Sequence, residues 1–143
     1  MKNRKWLIVL GIGLLVGFVI KSNNIPLNVI VKSLSAPDDL IRIHIMLDKG
    51  MQGDEQSIFI EDARTLRDIM SILNDIRVSY CGKYSTIPYC KYPGDWIIRV
   101  AFDNGKEVLF ITKNSELYTL KSKYVSYDQD TKALYEYLLT LFE

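Results

Sequence analysis

This 143-residue chain contains little histidine and cysteine, and it lacks the short motifs of common enzymes. One histidine, His44, and two cysteines argue against a Cys/His metal site, which needs three or four such ligands. The sequence lacks a glycine-rich phosphate loop, a G-x-S-x-G nucleophile motif, an H-E-x-x-H zinc motif and an EF-hand loop. We therefore predict no catalytic residue, no cofactor and no metal site.

Clusters of basic residues are also missing beyond the first 21 positions. That part of the chain has 14 basic and 17 acidic residues, which gives a net charge of −3. A mildly acidic domain without Lys/Arg clusters lacks the electrostatic footprint of a nucleic-acid binder. We therefore predict that nucleic acid is not a partner of this protein.

The chain does contain one long apolar run, Trp6 to Ile20, which has fifteen residues and no charge. Lys2, Arg4 and Lys5 precede it, and the first acidic residue is Asp38. A cationic start before a short apolar run is typical both of secretory signals and of uncleaved signal-anchors. The residues just after the run offer no pair of small residues for a signal peptidase, which favours the anchor.

We therefore predict a transmembrane helix over residues 1–21 in a protein of the cell membrane. The basic N-terminus predicts a cytoplasmic start and an extracytoplasmic part over residues 22–143, by the positive-inside rule. Two alternatives stay open: secretion after signal cleavage, and a buried helix in a cytosolic protein. Fifteen residues give a helix of roughly 22 Å, short of the roughly 30 Å hydrocarbon core.

Residues 22–39 are interpreted as a stalk or an edge strand. Their centre alternates apolar and polar residues, and Pro26 is compatible only with an edge position. Residues 40–143 then form one α+β domain. Within it, alternation from Leu40 to Asp48 predicts a strand that places His44 opposite its isoleucines, and Ser57 to Ile60 predicts a second strand.

Asp62 is predicted to cap a helix over residues 63–76. Its apolar stripe consists of Leu66, Ile69, Met70, Leu73 and Ile76. Residues 78–81 favour a short strand. A final helix, capped by Asp128 or Asp130, is predicted to reach about Phe142 with the stripe Leu134, Tyr137, Leu138 and Leu141.

The strongest local pattern is the hairpin of residues 96–103 and 106–112 around Asn104-Gly105, the favoured type I′ pair. A two-residue turn pairs Phe102 with Glu107, Val100 with Leu109, and Ile98 with Ile111. If Asn114-Ser115 is a second such turn, Tyr118 falls beside Ile111 on the core face. The predicted fold is an antiparallel sheet of about five to six strands, covered on one face by two helices.

Cys81 and Cys90 are the only cysteines. In an exported domain the pair predicts a disulfide that closes the intervening loop, whereas in a cytosolic protein both are free thiols. Their spacing matches neither a redox motif nor a zinc motif.

Residues 80–96 are rich in tyrosine and contain no acid before Asp95. Such rings offer an apolar body and a polar tip for a peptide or glycan, although they can instead fold under the loop and close the core. The predicted ligand surface consists of Tyr80, Lys83, Tyr84, Tyr89, Lys91, Tyr92 and Trp96.

Three segments together resemble a known group of proteins: SIFIEDARTLRDIMSILNDI, WIIRVAFDNGKEVLFI and LYEYLLTLF. The chain is similar over residues 40–143 to small membrane-anchored exported domains of unknown function from Gram-positive, Bacillus-like bacteria. The resemblance implies an extracytoplasmic address and an α+β fold, and it transfers no site residue.

The sequence favours a non-catalytic, membrane-anchored module that binds an envelope protein, peptide or glycan. One alternative is an envelope immunity or inhibitor protein that blocks a toxin or an enzyme. Another is an exported hydrolase that uses scattered carboxylates and His44.

Overall fold

A computed structural model of the chain describes residues 2–22, 24–36, 41–83, 94–102, 105–126 and 129–143. These described residues form α-helices α1 Lys2–Ser22, α2 Leu27–Ile30, α3 Ala63–Asp75 and α4 Gln129–Thr140, with 3-10 helices at Lys32–Ser35 and Gly50–Gln52. The strands are β1 Ile25–Pro26, β2 Ile43–Asp48, β3 Gln56–Ile60, β4 Arg77–Lys83, β5 Ile97–Phe102, β6 Glu107–Thr112, β7 Glu116–Tyr118 and β8 Ser122–Val125.

All eight strands join one antiparallel sheet in the order β1-β4-β8-β7-β6-β5-β2-β3. The α+β class is confirmed, but the predicted count of five to six strands is too low. No sequence pattern predicts β8, because its four residues follow β7 closely and lack a clean alternation. Strand β8 joins the β5–β6–β7 meander to β4.

The N-terminal apolar run forms α1, whose apolar side chains over residues 7–16 are exposed. Among the residues that the structure describes, no helix is both long and apolar enough to cross a membrane. The predicted transmembrane anchor over Trp6 to Ile20, with its single-pass membrane location, is therefore wrong. The physical reason is one of length, because the fifteen apolar residues span roughly 22 Å as a helix against a hydrocarbon core of roughly 30 Å.

The β5–β6 hairpin has the predicted register. Val100 pairs with Leu109, Ile98 with Ile111, and Phe102 with Glu107. Gly105 adopts a φ of 89°, a left-handed conformation that glycine tolerates without strain. Asn104, the other residue of the predicted turn, lies outside the described residues, as does Asp103, the predicted end of the first strand.

The β6–β7 connection differs from the prediction by one residue. Ile111 pairs with Leu117 and Phe110 with Tyr118, so three residues rather than two form the loop. Ser115 has a φ of 61° and donates its backbone N–H to the carbonyl of Thr112 at 3.2 Å. Because side chains alternate along a strand, this shift puts Leu117 in the core and Tyr118 on the opposite face.

Helix α3 begins as predicted, with the Asp62 carboxylate accepting the backbone N–H of Thr65 at 2.8 Å. Its predicted apolar stripe is buried throughout. Helix α4 also packs on the core, but Tyr135 is more deeply buried than the predicted Tyr137. The Tyr135 hydroxyl donates to the carbonyl of Trp96 at 2.8 Å, which satisfies the polar tip of a buried ring.

Residues 24–36, for which a stalk and an edge strand were both open, pack on the domain. Ile25 and Pro26 pair with β4 at the sheet edge, and Leu27, Val31 and Leu34 are buried in the main core. The backbone N–H groups of Lys32 and Ser33 donate to the Glu107 carboxylate, each at 2.8 Å. The Ser33 hydroxyl makes a short hydrogen bond to the same carboxylate.

The sheet has apolar residues on both faces. The core face packs against α2, α3, α4 and the 3-10 helix at Lys32–Ser35. On the opposite face, which we call the outer face, a smaller buried cluster comes from strands alone. It consists of Met46, Ile97, Ala101, Val108 and Phe110, with Tyr118 packed against it.

The predicted disulfide is wrong, because Cys81 is a free and exposed thiol. It follows Tyr80 on β4 at a bulge in the pairing with β8, and its sulfur lies 3.7 Å from the carbonyl oxygen of Ser79. Cys90 lies outside the described residues.

Candidate binding surface

The strand register arranges the outer-face side chains in rows across the sheet. One row runs from β3 to β8 and consists of Ser57, Met46, Arg99, Phe110, Tyr118 and Lys123. The next row consists of Phe59, His44, Ala101 and Val108. Directly opposed side chains on one face are about 5 Å apart, so each row is a continuous surface.

A concave pocket of about 390 Å³ opens over the β3 end of these rows. The described residues that line it include two arginines, one histidine and no carboxylate. They are Arg42, His44, Met46, Phe59, Arg99, Ala101 and Gly105. We call it the outer-face pocket.

One wall of the outer-face pocket is an aromatic stack. The rings of His44 and Phe59 are 4.1 Å apart and nearly parallel, with an interplanar angle of 10°. The guanidinium of Arg42 lies 5.2 Å from the centre of the Phe59 ring. Phe59 is 55% exposed, so a large apolar ring faces solvent at the rim.

Arg99 contributes a second cation. Its guanidinium carbon is 6.0 Å from the centre of the Phe110 ring, to which β5–β6 pairing brings it. A guanidinium over an aromatic face is held by cation–π attraction, while its N–H groups point outward in the guanidinium plane. Arg42 and Arg99 both line the outer-face pocket.

His44 has an unsatisfied polar atom at this surface. Its Nε2 is buried, and no hydrogen-bond partner for it exists among the described residues. A buried polar group without a partner costs about 1–3 kcal/mol. The sequence predicted the outward position of His44 but not this unsatisfied atom.

At the other end of the outer face, Glu116, Tyr118 and Lys123 form a polar cluster. The Tyr118 hydroxyl donates to Glu116 at 2.9 Å, and Lys123 Nζ lies 2.6 Å from the other carboxylate oxygen. Partial burial acts to raise the pKa of Glu116, but the hydrogen bonds from Lys123 and Tyr118 and the charge of Lys123 outweigh it and lower the pKa.

The same contacts shift the pKa values of the two partners of Glu116. The hydrogen bond to Glu116 raises the pKa of Lys123, and partial burial with the Glu116 hydrogen bond raises the pKa of Tyr118. All three groups therefore keep their ordinary charge states near neutral pH. This cluster holds β7 to β8 and has the geometry of a structural ion pair.

The structure describes three residues of the predicted tyrosine-rich surface and does not bring them together. Tyr80 is 44% exposed and packs edge-on against Tyr124 at 5.7 Å, and Lys83 is exposed at the end of β4. Trp96 packs against the main core, with Lys49 Nζ 4.9 Å from its ring. Tyr84, Tyr89, Lys91 and Tyr92 lie outside the described residues, so that part of the surface stays a prediction.

The residues of the outer-face pocket were not predicted as a site. Alternation along the two hairpin strands and along β2 already placed His44, Met46 and Arg99 away from the isoleucines. What the sequence did not reveal is that β2 lies beside β5, which places Met46 opposite Arg99. These strands are separated by more than 40 residues, and no turn motif joins them.

No group of three or more His, Cys, Asp or Glu side chains that could hold a metal occurs in the described part of the chain. Comparisons with known protein families, curated proteins and solved structures found no match. The resemblance to exported Gram-positive domains therefore stays a prediction.

Proposed function

We propose that this protein is a non-catalytic binding module that docks a partner protein on the outer face of its sheet. The observation that supports the proposal is the outer-face pocket, in which two ring-stacked arginines and an exposed phenylalanine share one concavity.

The composition of this surface matches that of protein–protein interfaces. Aromatic residues, methionine and arginine are enriched in interfaces relative to other protein surfaces, and arginine and aromatic residues also dominate their energetic centres. Phe59 and Arg99 supply exposed residues of these types in two neighbouring rows, above the buried Met46. Phe110 and Tyr118 extend the same surface toward β8.

The pocket chemistry argues against the hydrolase alternative. In hydrolases that form a covalent intermediate, a histidine base has a nucleophilic side chain within hydrogen-bond reach and a third group that orients the ring. His44 Nε2 has no partner among the described residues, and none of the described residues that line the pocket has a carboxylate, a hydroxyl or a thiol. An immunity or inhibitor protein would use such a binding face in the same way, with a toxin or an enzyme as its partner.

Site-specific photocrosslinking in the producing cells tests the proposal. A photoreactive phenylalanine analogue replaces Phe59 in one variant and Arg64, an exposed position on α3, in the matched control. We expect position 59 to give a discrete protein adduct that position 64 does not give and that Arg99→Glu abolishes. Identical adducts from both positions, or none from position 59, would contradict the proposal.

A further inference from the structure

We propose that the open edge of β3 is a docking site for an extended segment of the partner protein, which joins the sheet as a further antiparallel strand and has basic residues at both ends. This inference rests on the proposed function, since it names the segment by which that partner binds. Three observations support it: the open edge itself, its contrast with the strand at the opposite end of the sheet, and the acidic residues on both sides of β3.

Strand β3 lies at one end of the sheet and pairs along its whole length with β2. Among the described residues, no strand pairs with its other side. Alternate residues of an edge strand direct their backbone N–H and C=O groups outward, where another strand can pair with them. The five residues of β3 offer an edge of about 17 Å, and strand addition to such an edge is a recurring mode of peptide recognition.

The strands at the two ends of the sheet differ in how they are protected. Proteins prevent strands from adding to a sheet edge by short length, proline, charged residues or bulges. At one end, β1 has only two residues, and one of them is Pro26, which lacks a backbone N–H. At the other end, the β3 sequence QSIFI contains no proline and no charge, and its register with β2 is continuous. The sequence of β3 itself therefore permits a further strand.

The side chains of β3 offer an added strand apolar contacts on both faces of the sheet. Ile58 and Ile60 are half-buried against the main core, and Phe59 between them is 55% exposed on the outer face. Directly opposed side chains of paired strands lie about 5 Å apart. Apolar residues opposite Ile58 and Ile60 would therefore cover the parts of these side chains that solvent now reaches.

Acidic residues lie on both sides of β3. Asp54 and Glu55 precede the strand, Glu61 and Asp62 follow it, and all four are exposed. Asp62 caps α3, whereas the carboxylates of the other three take part in no ion pair among the described residues. Opposite charges across a strand pair stabilise it, so the matching strand has Lys or Arg at its two ends.

Two cations lie near β3 without cancelling this acidic charge. Arg42 precedes β2, on the side of β3 away from the open edge, and its guanidinium lies over the Phe59 ring. Arg64 is exposed in the first turn of α3. Four carboxylates against these two guanidinium groups leave an excess of negative charge beside β3.

The acidic ends also argue against a second copy of β3 as the occupant. An antiparallel pair in which all five residues of β3 meet their counterparts is centred on Ile58. Such a pair places Asp54 opposite Asp62. Glu55 then lies opposite Glu61. Like charges directly opposite each other destabilise a strand pair, so the occupant is a segment of different sequence.

Binding of a defined peptide to the full-length protein tests the assignment. The probe is the fluorescein-labelled nonapeptide Lys-Lys-Val-Thr-Val-Thr-Val-Lys-Lys, called the Lys peptide. When its central Val is opposite Ile58, its lysines lie opposite the acidic residues on both sides of β3. A control peptide replaces every Lys with Glu. We expect fluorescence anisotropy to show binding of the Lys peptide, weakened by salt, and binding of the Glu control weaker by on the order of tenfold or more. Equal binding of the two peptides would overturn the proposal.

Two N-methylated forms of the Lys peptide show whether it binds as a strand. One form is methylated on both Thr nitrogens, and the other on the nitrogens of the first and last Val. Successive backbone N–H groups point to opposite sides of a strand, so only one of the two forms loses hydrogen bonds to β3. We expect that form to bind more weakly than the other by on the order of tenfold. If the two forms bind equally, the peptide does not extend the sheet and the proposal fails.

Neutralising substitutions locate the peptide on the protein. Asp54→Asn combined with Glu55→Gln removes the acidic charge before β3 and should weaken the Lys peptide by on the order of fivefold. The matched control, Asp68→Asn combined with Asp75→Asn, removes the same charge from exposed positions of α3 and should change binding by less than about twofold. Circular dichroism and the urea midpoint show that both variants are folded. Equal weakening by the two variants would mean that the attraction is non-specific, and the proposal would fail.

Three further outcomes relate the edge of β3 to the proposed function and to self-association. A photocrosslinked adduct from position 59 that excess Lys peptide suppresses would support both the outer-face partner and its docking at the edge. If that adduct forms and the Lys peptide does not bind, the proposed function survives and only this inference fails. Concentration-dependent dimerisation of the protein that the Lys peptide reverses would assign the edge to a second copy of this chain and overturn the inference.

Discussion

The two faces of this sheet use the same strands for different purposes. On the core face, Ile98, Val100 and Phe102 of β5 are fully buried beneath helices. On the outer face, Ile97 and Ala101 of the same strand are buried by neighbouring strand side chains, and Arg99 between them is exposed. The core face is therefore covered by helices, whereas the outer face keeps an open and partly polar surface.

This division implies that stability and binding respond to different substitutions. Alternation sends neighbouring residues of β5 to opposite faces, so a change at Arg99 leaves the side chains of Ile98 and Val100 in place. The two faces are joined only through the backbone.

The largest expected effect comes from a pair of phenylalanines on the paired strands β5 and β6. Phe102→Ala removes a fully buried core ring and should lower the free energy of unfolding by about 3–5 kcal/mol. Phe110→Ala acts on the outer face, where all the described residues of the cluster come from strands of the sheet, and should cost about half as much. Urea unfolding measures both. Equal losses would mean that the two faces are equally packed.

Two substitutions with the next largest expected effect test whether residues 24–36 belong to the core. Leu34→Ala removes a side chain that is 1% exposed and should cost about 2–4 kcal/mol. Val29→Ala changes a nearby side chain that is 66% exposed and should stay within about 0.5 kcal/mol of the parent protein. If both variants unfold at the same urea concentration as the parent protein, this segment contributes nothing to the core.

Glu107 connects the same segment to β6. Glu107→Gln keeps the shape of the side chain but replaces one acceptor oxygen with an amide donor. At least one of the hydrogen bonds donated by the Lys32 backbone N–H, the Ser33 backbone N–H and the Ser33 hydroxyl is then lost. We expect the free energy of unfolding to fall by about 1–2 kcal/mol.

The control for Glu107 is Glu136→Gln on α4. The Glu136 carboxylate lies 3.9 Å from Lys132 at an exposed position and should contribute about 0.3–0.5 kcal/mol. Chemical denaturation of both variants measures the difference. A loss at position 107 no larger than that at position 136 would show that the three contacts of Glu107 add no stability.

Local patterns predicted the elements that one motif specifies. Asn104-Gly105 is a strong turn signal, and the β5–β6 register followed from it residue by residue. Asp62 and the apolar stripe behind it likewise predicted α3 and its buried face. In both cases the residues that decide the structure are neighbours in sequence, so a short window contains the necessary information.

The misplaced elements depend on information that no short window contains. The β6–β7 loop has its left-handed residue at Ser115, whereas Asn114 is the residue type that favours this conformation. The three-residue loop shifts β7 by one position from the register that a two-residue turn predicts. The candidate binding surface was missed for a related reason, because it requires β2 beside β5 and β3 beside β2. The N-terminal prediction was wrong because the flanking basic residues and the apolar composition favour a membrane anchor, whereas the apolar run is too short to cross the membrane.

The smallest expected effect comes from loss of the outer-face ion pair between Glu116 and Lys123. The pKa of Glu116 is lowered in the folded protein, so its ionised form contributes stability above its ordinary pKa of 4.5, and this contribution is lost as the pH falls below that value. Glu116→Gln should therefore cost about 0.5 kcal/mol at pH 7, the size typical of a partly exposed pair. The difference between the two proteins should disappear in acid.

Urea unfolding of both proteins at pH 7 and at pH 3 checks this expectation, with Glu136→Gln as a control for an exposed carboxylate. A penalty at Glu116→Gln that is the same at both pH values would mean that packing or neutral hydrogen bonds, and not charge, connect β7 to β8.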